Sequence, residues 1–413
     1  TDEVKTNKVS PATGTAFALG DSGDTFTVPS GATIVNSGTA TGFGITAASF
    51  RPNVQPLIIN GDMQVAQRST STTSISTSGY YTTDRWYYHL GSTSGVVTET
   101  QESLTSGDAF TDGFSKSFKL DVTTADASLA AGDFANVRYR IEGQDLQLFK
   151  KGTANAETYT ISFWIKATKT GANICELYDH SNSRICSQEY TVSSTDTWEY
   201  KVVNFPADTT GAIANTNAVG LGIRWWIAAG STYSGGTLAT TWASAVAANE
   251  AVGQVNNLDS TSNNFEITGV QLEVGEYTTA DLPPFQHESF ADNWRRCSRY
   301  YTKWLSDTPS GGTGGDPAYT CGGQASGTAS IVNMFVPLGV PLRAAPSIND
   351  PNGVYLDYDT GTAVTSGTWT VRANQPYTMS CIIMGIDGCA NLVDNTISAA
   401  RPYGGDLTLN AEL

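Results

Sequence analysis

The stretch Tyr159-Thr160-Ile161-Ser162-Phe163-Trp164-Ile165-Lys166-Ala167 indicates the fold more clearly than any other part of the sequence. Most of its residues are β-branched or aromatic, and such side chains fit a pleated, half-buried sheet surface. The stretch is too short for a typical helix but suits a strand. Segments of the same kind recur at Leu57–Ile59, Phe118–Val122, Trp198–Phe205, Leu221–Ile227 and Phe265–Val274.

The composition extends this prediction to the rest of the chain. The 413 residues include 41 glycines, 18 tyrosines, 15 phenylalanines and 9 tryptophans, and only 15% of the residues are charged. Short strands separated by Gly, Ser, Asn and Asp turns are typical of antiparallel sandwiches. We therefore expect an all-β protein with a sandwich over residues 51–290, and two or three domains for a chain of this length.

Residues 1–50 are predicted to be a docking or oligomerisation segment. The stretch from Gly20 to Ile34 is rich in Gly, Thr and Ser, and short strands of this kind bury too little surface to fold alone. Phe26, Val28 and Ile34 alternate in part with polar residues, which favours packing against a partner. A flexible linker is the alternative interpretation.

The C-terminal third is predicted to contain a junction and a smaller β-sandwich. Residues 291–317 are expected to form a helix and a linker, with Asp292 as the helix cap and Trp294, Cys297 or Ser298, and Tyr301 on one face. A second short helix is expected within Leu238–Val252. Residues 318–413 are expected to form the smaller sandwich, with strands at Ser330–Pro337, Val354–Tyr358, Thr368–Arg372 and Met379–Met384.

The charge and the cysteines narrow the possible classes of function. A formal net charge of −16 disfavours binding to nucleic acid. No apolar run is long enough to span a membrane, and Thr1–Lys5 shows no secretion-signal pattern. The cysteine spacing does not suit a zinc site. Cys175 and Cys186 flank a predicted hairpin loop that would place their sulfurs opposite each other, which leaves a disulfide or two free thiols open.

Four segments, in order, resemble the β-jelly-roll carbohydrate-binding modules of glycan-active enzymes and phage appendages. Leu57-Ile58-Ile59-Asn60-Gly61-Asp62-Met63 resembles the opening strand and turn, and Glu157–Ala167 resembles the "tYtlsfwvka" strand. Asp196-Thr197-Trp198-Glu199-Tyr200 resembles the central strand and Phe265–Gly275 the closing strand. The resemblance implies a jelly roll over residues 51–290.

A second set of motifs resembles phage tail and virion structural proteins. It consists of Asn60–Arg68, Tyr81–Trp86, Trp294–Tyr301, Pro341–Pro346 and Asn410–Leu413. The resemblance implies a tail-fibre-like virion component that is assembled in the host cytoplasm and is often homotrimeric. Residues 1–50 would then bind other virion proteins. A capsid decoration (cement) protein or a capsid-attached fibre is the alternative.

Glycan binding would need aromatic rings for sugar CH faces and polar groups for hydroxyls. The candidates are Trp225 or Trp226, of which strand alternation sends one outward, together with Tyr178, Asp179, His180, Asn182 and Tyr233. Trp86, Trp164 and Trp198 are expected in the core. A structural calcium ion is a further expectation, with Asn60, Asp62 and Glu273 supplying oxygen ligands.

The sequence favours a protein that is not an enzyme. His89, His180 and His287 lie in no recognisable nucleophile arrangement, and there is no G-x-S-x-G motif. No Gly-rich phosphate loop follows a strand and opens a helix. A polysaccharide depolymerase is the remaining enzymatic alternative.

Overall fold

A computed structural model describes residues 55–304, 321–325, 331–349, 354–357, 368–371, 381–387, 397–402 and 407–413. The segment predicted for docking, residues 1–50, lies outside these ranges. Within them, no helix is long and apolar enough to cross a membrane.

Residues 71–274 form a two-layer β-sandwich of twelve strands. In chain order these are β1 (Ser71–Ile75), β2 (Tyr87–Gly91), β3 (Val96–Ser103), β4 (Lys116–Thr124), β5 (Phe134–Glu142), β6 (Tyr159–Ala167), β7 (Gly171–Asp179), β8 (Arg184–Val192), β9 (Glu199–Phe205), β10 (Val219–Ala229), β11 (Ala243–Ser244) and β12 (Asn264–Val274).

The two sheets have six antiparallel strands each. The order is β1-β3-β4-β12-β6-β9 in the first sheet and β11-β8-β7-β10-β5-β2 in the second. The chain crosses repeatedly from one sheet to the other, so strands adjacent in sequence often lie in opposite layers. This alternation is the jelly-roll arrangement, and it confirms the predicted all-β sandwich.

Side chains that point between the sheets form a continuous aromatic and aliphatic core. Trp86 lies 5.4 Å from Trp225 between ring centroids, and Trp225 lies 5.8 Å from Phe163. All three side chains are fully buried. The alternation of β6 and β10 therefore sends every second residue into this core, and the remaining residues face outward.

The described residues from Tyr301 onward are also built mainly of antiparallel strands. These are β13 (Tyr301–Trp304), β14 (Cys321–Ala325), β15 (Ile331–Pro337), β16 (Ser347–Asn349), β17 (Val354–Asp357), β18 (Thr368–Val371), β19 (Cys381–Asp387), β20 (Ile397–Pro402) and β21 (Leu407–Asn410). They form a three-stranded sheet, β13-β21-β16, and a six-stranded sheet, β17-β20-β14-β15-β19-β18. The four strands predicted in this region are confirmed within a few residues.

The predicted opening strand at Leu57–Ile59 is wrong, because this segment forms turns. Asn60 and Met63 have φ angles of 59° and 60°, which no strand accommodates. Gly61 packs so closely on β12 that a Cβ atom there would lie 2.2 Å from the Val270 carbonyl oxygen. The turn is fixed by this approach and by the hydrogen bond from the Val270 amide to the Gly61 carbonyl (2.9 Å).

The junction helix is present, but its cap and its buried face differ from the prediction. Three short α-helices are described, α1 (Asp108–Thr111), α2 (Ser231–Ser234) and α3 (Phe290–Ser298), and the cap of α3 is Ser289 rather than Asp292. Trp294 is exposed, whereas Asn293 and Cys297 are buried. Since Tyr301 begins β13, it cannot extend the helical face.

Two further helical segments are 3-10 turns, at Gly143–Phe149 and Ala247–Asn249. A helix was expected within Leu238–Val252, and in that range the structure has only the 3-10 turn at Ala247–Asn249.

Cys175 and Cys186 are free, buried thiols on one hairpin. The sulfurs are not opposite each other, because Cys175 pairs with Gln188 and Cys186 pairs with Leu177. The centre of the hairpin lies one residue further along the chain than direct pairing of the two cysteines would need, so each cysteine is two residues away from the other's partner position. Both side chains point into the core, where burial raises the pKa of each thiol.

Candidate functional site

The outer surface of the second sheet concentrates positive charge in an acidic protein. We call it the arginine face and define it by the outward side chains of three adjacent strands and one hairpin end, namely Tyr87, Arg138, Arg140, Tyr178, His180 and Arg224. Arg138 pairs in register with Arg224 on one side and with Tyr87 on the other. Adjacent strands are about 5 Å apart, and alternate residues of one strand are about 7 Å apart. The three guanidinium groups therefore emerge close together.

Tyr178 and Arg224 form the centre of the arginine face. The Arg224 guanidinium carbon lies 4.1 Å from the centroid of the Tyr178 ring, a favourable cation–π distance. The ring of His180 lies 4.7 Å from that of Tyr178 at a tilted angle, and His180 is exposed. Tyr178 is half-buried, so part of its ring remains accessible from solvent.

Two buried carboxylates hold Arg224 in place. Arg224 lies 3.1 Å from Glu176 and 3.3 Å from Glu250. Glu176 also accepts a hydrogen bond from the Trp226 indole (2.7 Å). Burial, followed by the charge of Glu176, raises the pKa of Glu250 to about 7. Both carboxylates are therefore committed to positioning Arg224.

Arg138 differs from Arg224 because no ion pair to it occurs in the described part of the chain. Its Nε donates to Asn136 Oδ1 at 2.7 Å. Burial, followed by the charges of Arg224 and Arg140, lowers the pKa of Arg138 to about 9. Arg138 is thus a half-buried cation between two other cations.

Several polar atoms around Arg138 also lack a hydrogen-bond partner within the described residues. They are Asn136 Nδ2, Arg140 Nε and His89 Nδ1. His89 faces Asn136 across β2 and β5, and burial lowers its pKa to about 3, so the ring is neutral at neutral pH. Buried polar groups usually have partners, so this group of atoms is unusual.

The two candidate tryptophans are enclosed. Trp225 points into the core, and Trp226 points outward as alternation requires, but it is only 1% exposed. The segment after β10 covers Trp226 with Tyr233, Leu238 and Ala251. Tyr233 lies 5.6 Å from Trp226 and is half-buried in this cover.

Asp179 and Asn182 are engaged inside the hairpin instead of on the arginine face. Asp179 is fully buried and pairs with the Lys151 ammonium at 2.5 Å. It also accepts hydrogen bonds from the Ser181 and Asn182 amides. The Asn182 side chain bridges Asp179 and the Ala212 carbonyl. Of the predicted glycan-binding residues, the structure therefore brings Tyr178 and His180 together on an open surface.

The residues predicted to bind calcium lie near the turn at Gly61 and on the adjoining strand. Asn293 donates to Asn60 Oδ1 (3.4 Å) and to Asp62 Oδ1 (3.1 Å), and Asn60 Oδ1 also accepts from the Val65 amide. Glu273 lies on β12 opposite Thr160. Among the described residues there is no group of three or more His, Cys, Asp and Glu side chains suited to a metal. Calcium binding by this set stays a prediction.

A groove of about 340 Å³ lies on the outer side of the first sheet. Its lining includes Trp198, Lys119, Lys166 and Glu266. The Lys166 ammonium lies 2.7 Å from the buried Glu266 carboxylate and 4.9 Å from the centroid of Trp198. Trp198 is buried, as predicted. Lys166 and Glu266 are paired with each other and the Trp198 ring is buried, so few groups in this groove are free to contact a ligand. The arginine face is therefore the stronger candidate for a binding site.

The arginines were missed at the sequence level, although a signal was present. Arg138 and Arg140 alternate with Val137 and Tyr139 in a strand bounded by turns, which places both arginines on one face. The partner arginine, Arg224, is distant in sequence. Only the register of β5 against β10 brings it beside Arg138.

No protein-family model matches the sequence, and no curated protein matches it. Among solved structures, a domain of bacteriophage CBA120 tailspike protein 4, described as enzymatically active, matches 53% of this chain with 14% identity and a TM-score of 0.27. The match covers 21% of that chain, so this protein aligns with about a fifth of the tailspike's length.

Two carbohydrate-binding modules are similar over most of their own length. A family 61 module in complex with β-1,4-galactotriose matches 53% of this chain and 99% of its own, with 9% identity and a TM-score of 0.27. A family 11 module of a Clostridium thermocellum cellulase matches 47% of this chain and 91% of its own, with 11% identity and a TM-score of 0.26. The jelly-roll assignment rests on the strand order described above.

Proposed function

We propose that the protein recognises glycans through the arginine face, as a non-enzymatic, tail-fibre-like component of a phage virion. Glycan recognition is proposed because the ring of Tyr178 is partly exposed. The Arg224 guanidinium packs against this ring, and His180 lies beside it. An aromatic ring packs against sugar CH groups, while the guanidinium and imidazole groups donate to hydroxyls. A second ring, Tyr87, lies 5.0 Å from the Arg140 guanidinium on the same face.

The tests of this function avoid the two buried tryptophans, because replacing either would create a cavity. Tyr178→Ala removes an accessible ring without opening the core. We expect it to weaken glycan binding about tenfold, because the free energy of one aromatic contact corresponds to a change in affinity of about this size. A glycan array identifies the ligand, and isothermal titration of the full chain measures the affinity.

Tyr200→Ala is the matched control, because Tyr200 is a half-buried tyrosine on a strand of the other sheet. It is expected to leave the affinity unchanged. If the protein binds no glycan on the array, or if both variants weaken binding equally, the arginine face is not a glycan site.

The virion role is supported by the sequence motifs described above. We propose that residues 1–50 attach the protein to other virion proteins and that the chain forms a homotrimer. Light scattering of the purified chain gives the oligomeric state, and a strict monomer would contradict the trimer. Cryo-electron microscopy of the virion decides between a tail fibre and the alternative of a capsid decoration or capsid-attached protein.

The proposal that the protein is not an enzyme is tested separately. Incubation with the glycan found on the array is expected to release no reducing ends above those of a buffer control. Release that scales with protein concentration would favour a polysaccharide depolymerase instead.

A further inference from the structure

We infer that the arginine face selects acidic saccharides, and that Arg138 contacts their carboxylate or sulfate group. This inference rests on the proposed glycan recognition and specifies the chemical class of the ligand. It concerns Arg138, which forms no ion pair with a described residue and whose hydrogen bond is made by Nε to Asn136 alone.

The side chains of the arginine face carry more positive than negative charge. Three guanidinium groups, of Arg138, Arg140 and Arg224, face two carboxylates, of Glu176 and Glu250. Both carboxylates contact Arg224, so at least one positive charge remains at the position of Arg138. Arg140 donates to the main-chain oxygen of Leu413 and not to a side-chain carboxylate.

Several hydrogen-bond donors around Arg138 have no acceptor among the described residues. Its Nε is held by Asn136 Oδ1, which fixes the plane of the guanidinium, while no hydrogen bond from its two terminal nitrogens to a described residue is found. The adjacent Asn136 Nδ2 and Arg140 Nε are buried donors without an acceptor in the described chain. A carboxylate or sulfate has several acceptor oxygens and fits a planar guanidinium with two parallel hydrogen bonds.

The acidic character of the whole protein bears on the specificity of the arginine face. With a net charge of −16, the protein as a whole repels polyanions, so general electrostatic attraction would not draw an acidic glycan to it. Binding of such a glycan would need a local site. The rings of Tyr87 and Tyr178 on either side of Arg138 and Arg224 would contact the sugar itself.

The experiment compares saccharides that differ only in charge. Galacturonan oligosaccharides and their methyl esters test the carboxylate, and dextran sulfate and dextran oligosaccharides test the sulfate. The full chain is titrated with each, alongside a glycan array with acidic and neutral members. We expect at least one acidic member to bind tenfold or more tightly than its neutral counterpart.

Arg138→Gln removes the charge and most of the donors, and we expect it to abolish the preference for the acidic member. Arg138→Lys keeps the charge without the planar pair of donors, and an intermediate preference is expected. Arg295→Gln is the control, since Arg295 lies on α3, is 65% exposed and gives the same change of charge. Circular dichroism and melting curves establish that each variant is folded.

The possible results distinguish a failure of the acidic preference from a failure of the proposed glycan recognition. Equal binding of acidic and neutral members leaves glycan recognition standing and overturns the inference. An acidic preference that survives in Arg138→Gln overturns the role of Arg138. Binding to no saccharide in the titrations or on the array overturns both.

Discussion

Glu99 is a carboxyl group buried between the two sheets, and it makes the stability of the fold depend on pH. It accepts hydrogen bonds from the Thr82 amide (2.8 Å) and hydroxyl (2.6 Å), while Oε2 has no partner in the described chain. Burial raises the pKa of Glu99 to about 7, which outweighs the opposing effect of the Thr82 hydrogen bonds.

Because the pKa of Glu99 in the folded state is higher than in the unfolded chain, the folded state holds its proton over the window from about 4.5 to 7. Its contribution to the free energy of unfolding therefore falls as the pH rises through that window. Glu99→Gln lacks this titration. We therefore expect the free energy of unfolding of the variant, relative to that of the native protein, to rise by on the order of 1–3 kcal/mol from pH 5 to pH 8.

Urea unfolding at the two pH values measures this difference. Glu102→Gln, which removes a carboxyl group from a partly exposed position on the same strand, is the control. A difference between Glu99→Gln and the native protein that stays constant with pH would show that Glu99 does not titrate in this range.

At the scale of single elements, helix α3 depends on a reciprocal cap. The Ser289 hydroxyl accepts from the Asp292 amide (3.2 Å) and donates to the Asp292 carboxylate (2.7 Å). The helix in turn places Asn293 against Asn60 and buries Cys297 beside Ile59 and Val65. A weaker helix therefore loosens the turn that opens the jelly roll.

Ser289→Ala is expected to lower the free energy of unfolding by about 1 kcal/mol, since it leaves the first-turn amide without its acceptor. Ser289→Asn keeps an acceptor at the cap and should behave like the native protein. Thermal unfolding followed by circular dichroism compares the three proteins. Equal losses in both variants would mean that the contact with Asp292 is not what stabilises the helix.

Elements such as β6 and β10 were predictable because their inward faces carry continuous apolar alternation. The turn at Leu57–Ile59 was not, because Ile58 and Ile59 are buried within a turn that depends on the close approach of Gly61 to Val270, and no local pattern encodes that approach. The arginine face was missed for a related reason. Register between distant strands decides which outward residues become neighbours, and sequence alone does not supply that register.

At the scale of the whole molecule, the motifs that resemble virion proteins converge on one place. Asn60 donates to the Asp84 carbonyl, and the Arg85 guanidinium lies 3.4 Å from the centroid of Tyr300. Arg343 donates to the Ala411 and Glu412 carbonyls. We call this group the junction cluster. It joins the sandwich, helix α3 and the last residues of the chain, so these motifs encode an internal contact.

Glu412 is the anion of the junction cluster. It pairs with Arg85, which is 1% exposed, and lies 3.4 Å from Arg68. Glu412→Gln would leave the Arg85 charge buried without its counter-ion, which costs about 3 kcal/mol or more of unfolding free energy. Urea unfolding measures this loss.

Glu157→Gln provides the comparison, because Glu157 forms a solvent-exposed pair with Lys150 at 2.5 Å. An exposed pair contributes about 0–1 kcal/mol, so this variant should unfold close to the native midpoint. Equal effects of the two substitutions would mean that the junction cluster does not fasten the end of the chain to the sandwich. A much larger loss of unfolding free energy in Glu412→Gln would instead show that the ion pair with Arg85 is a main contact between the jelly roll and the end of the chain.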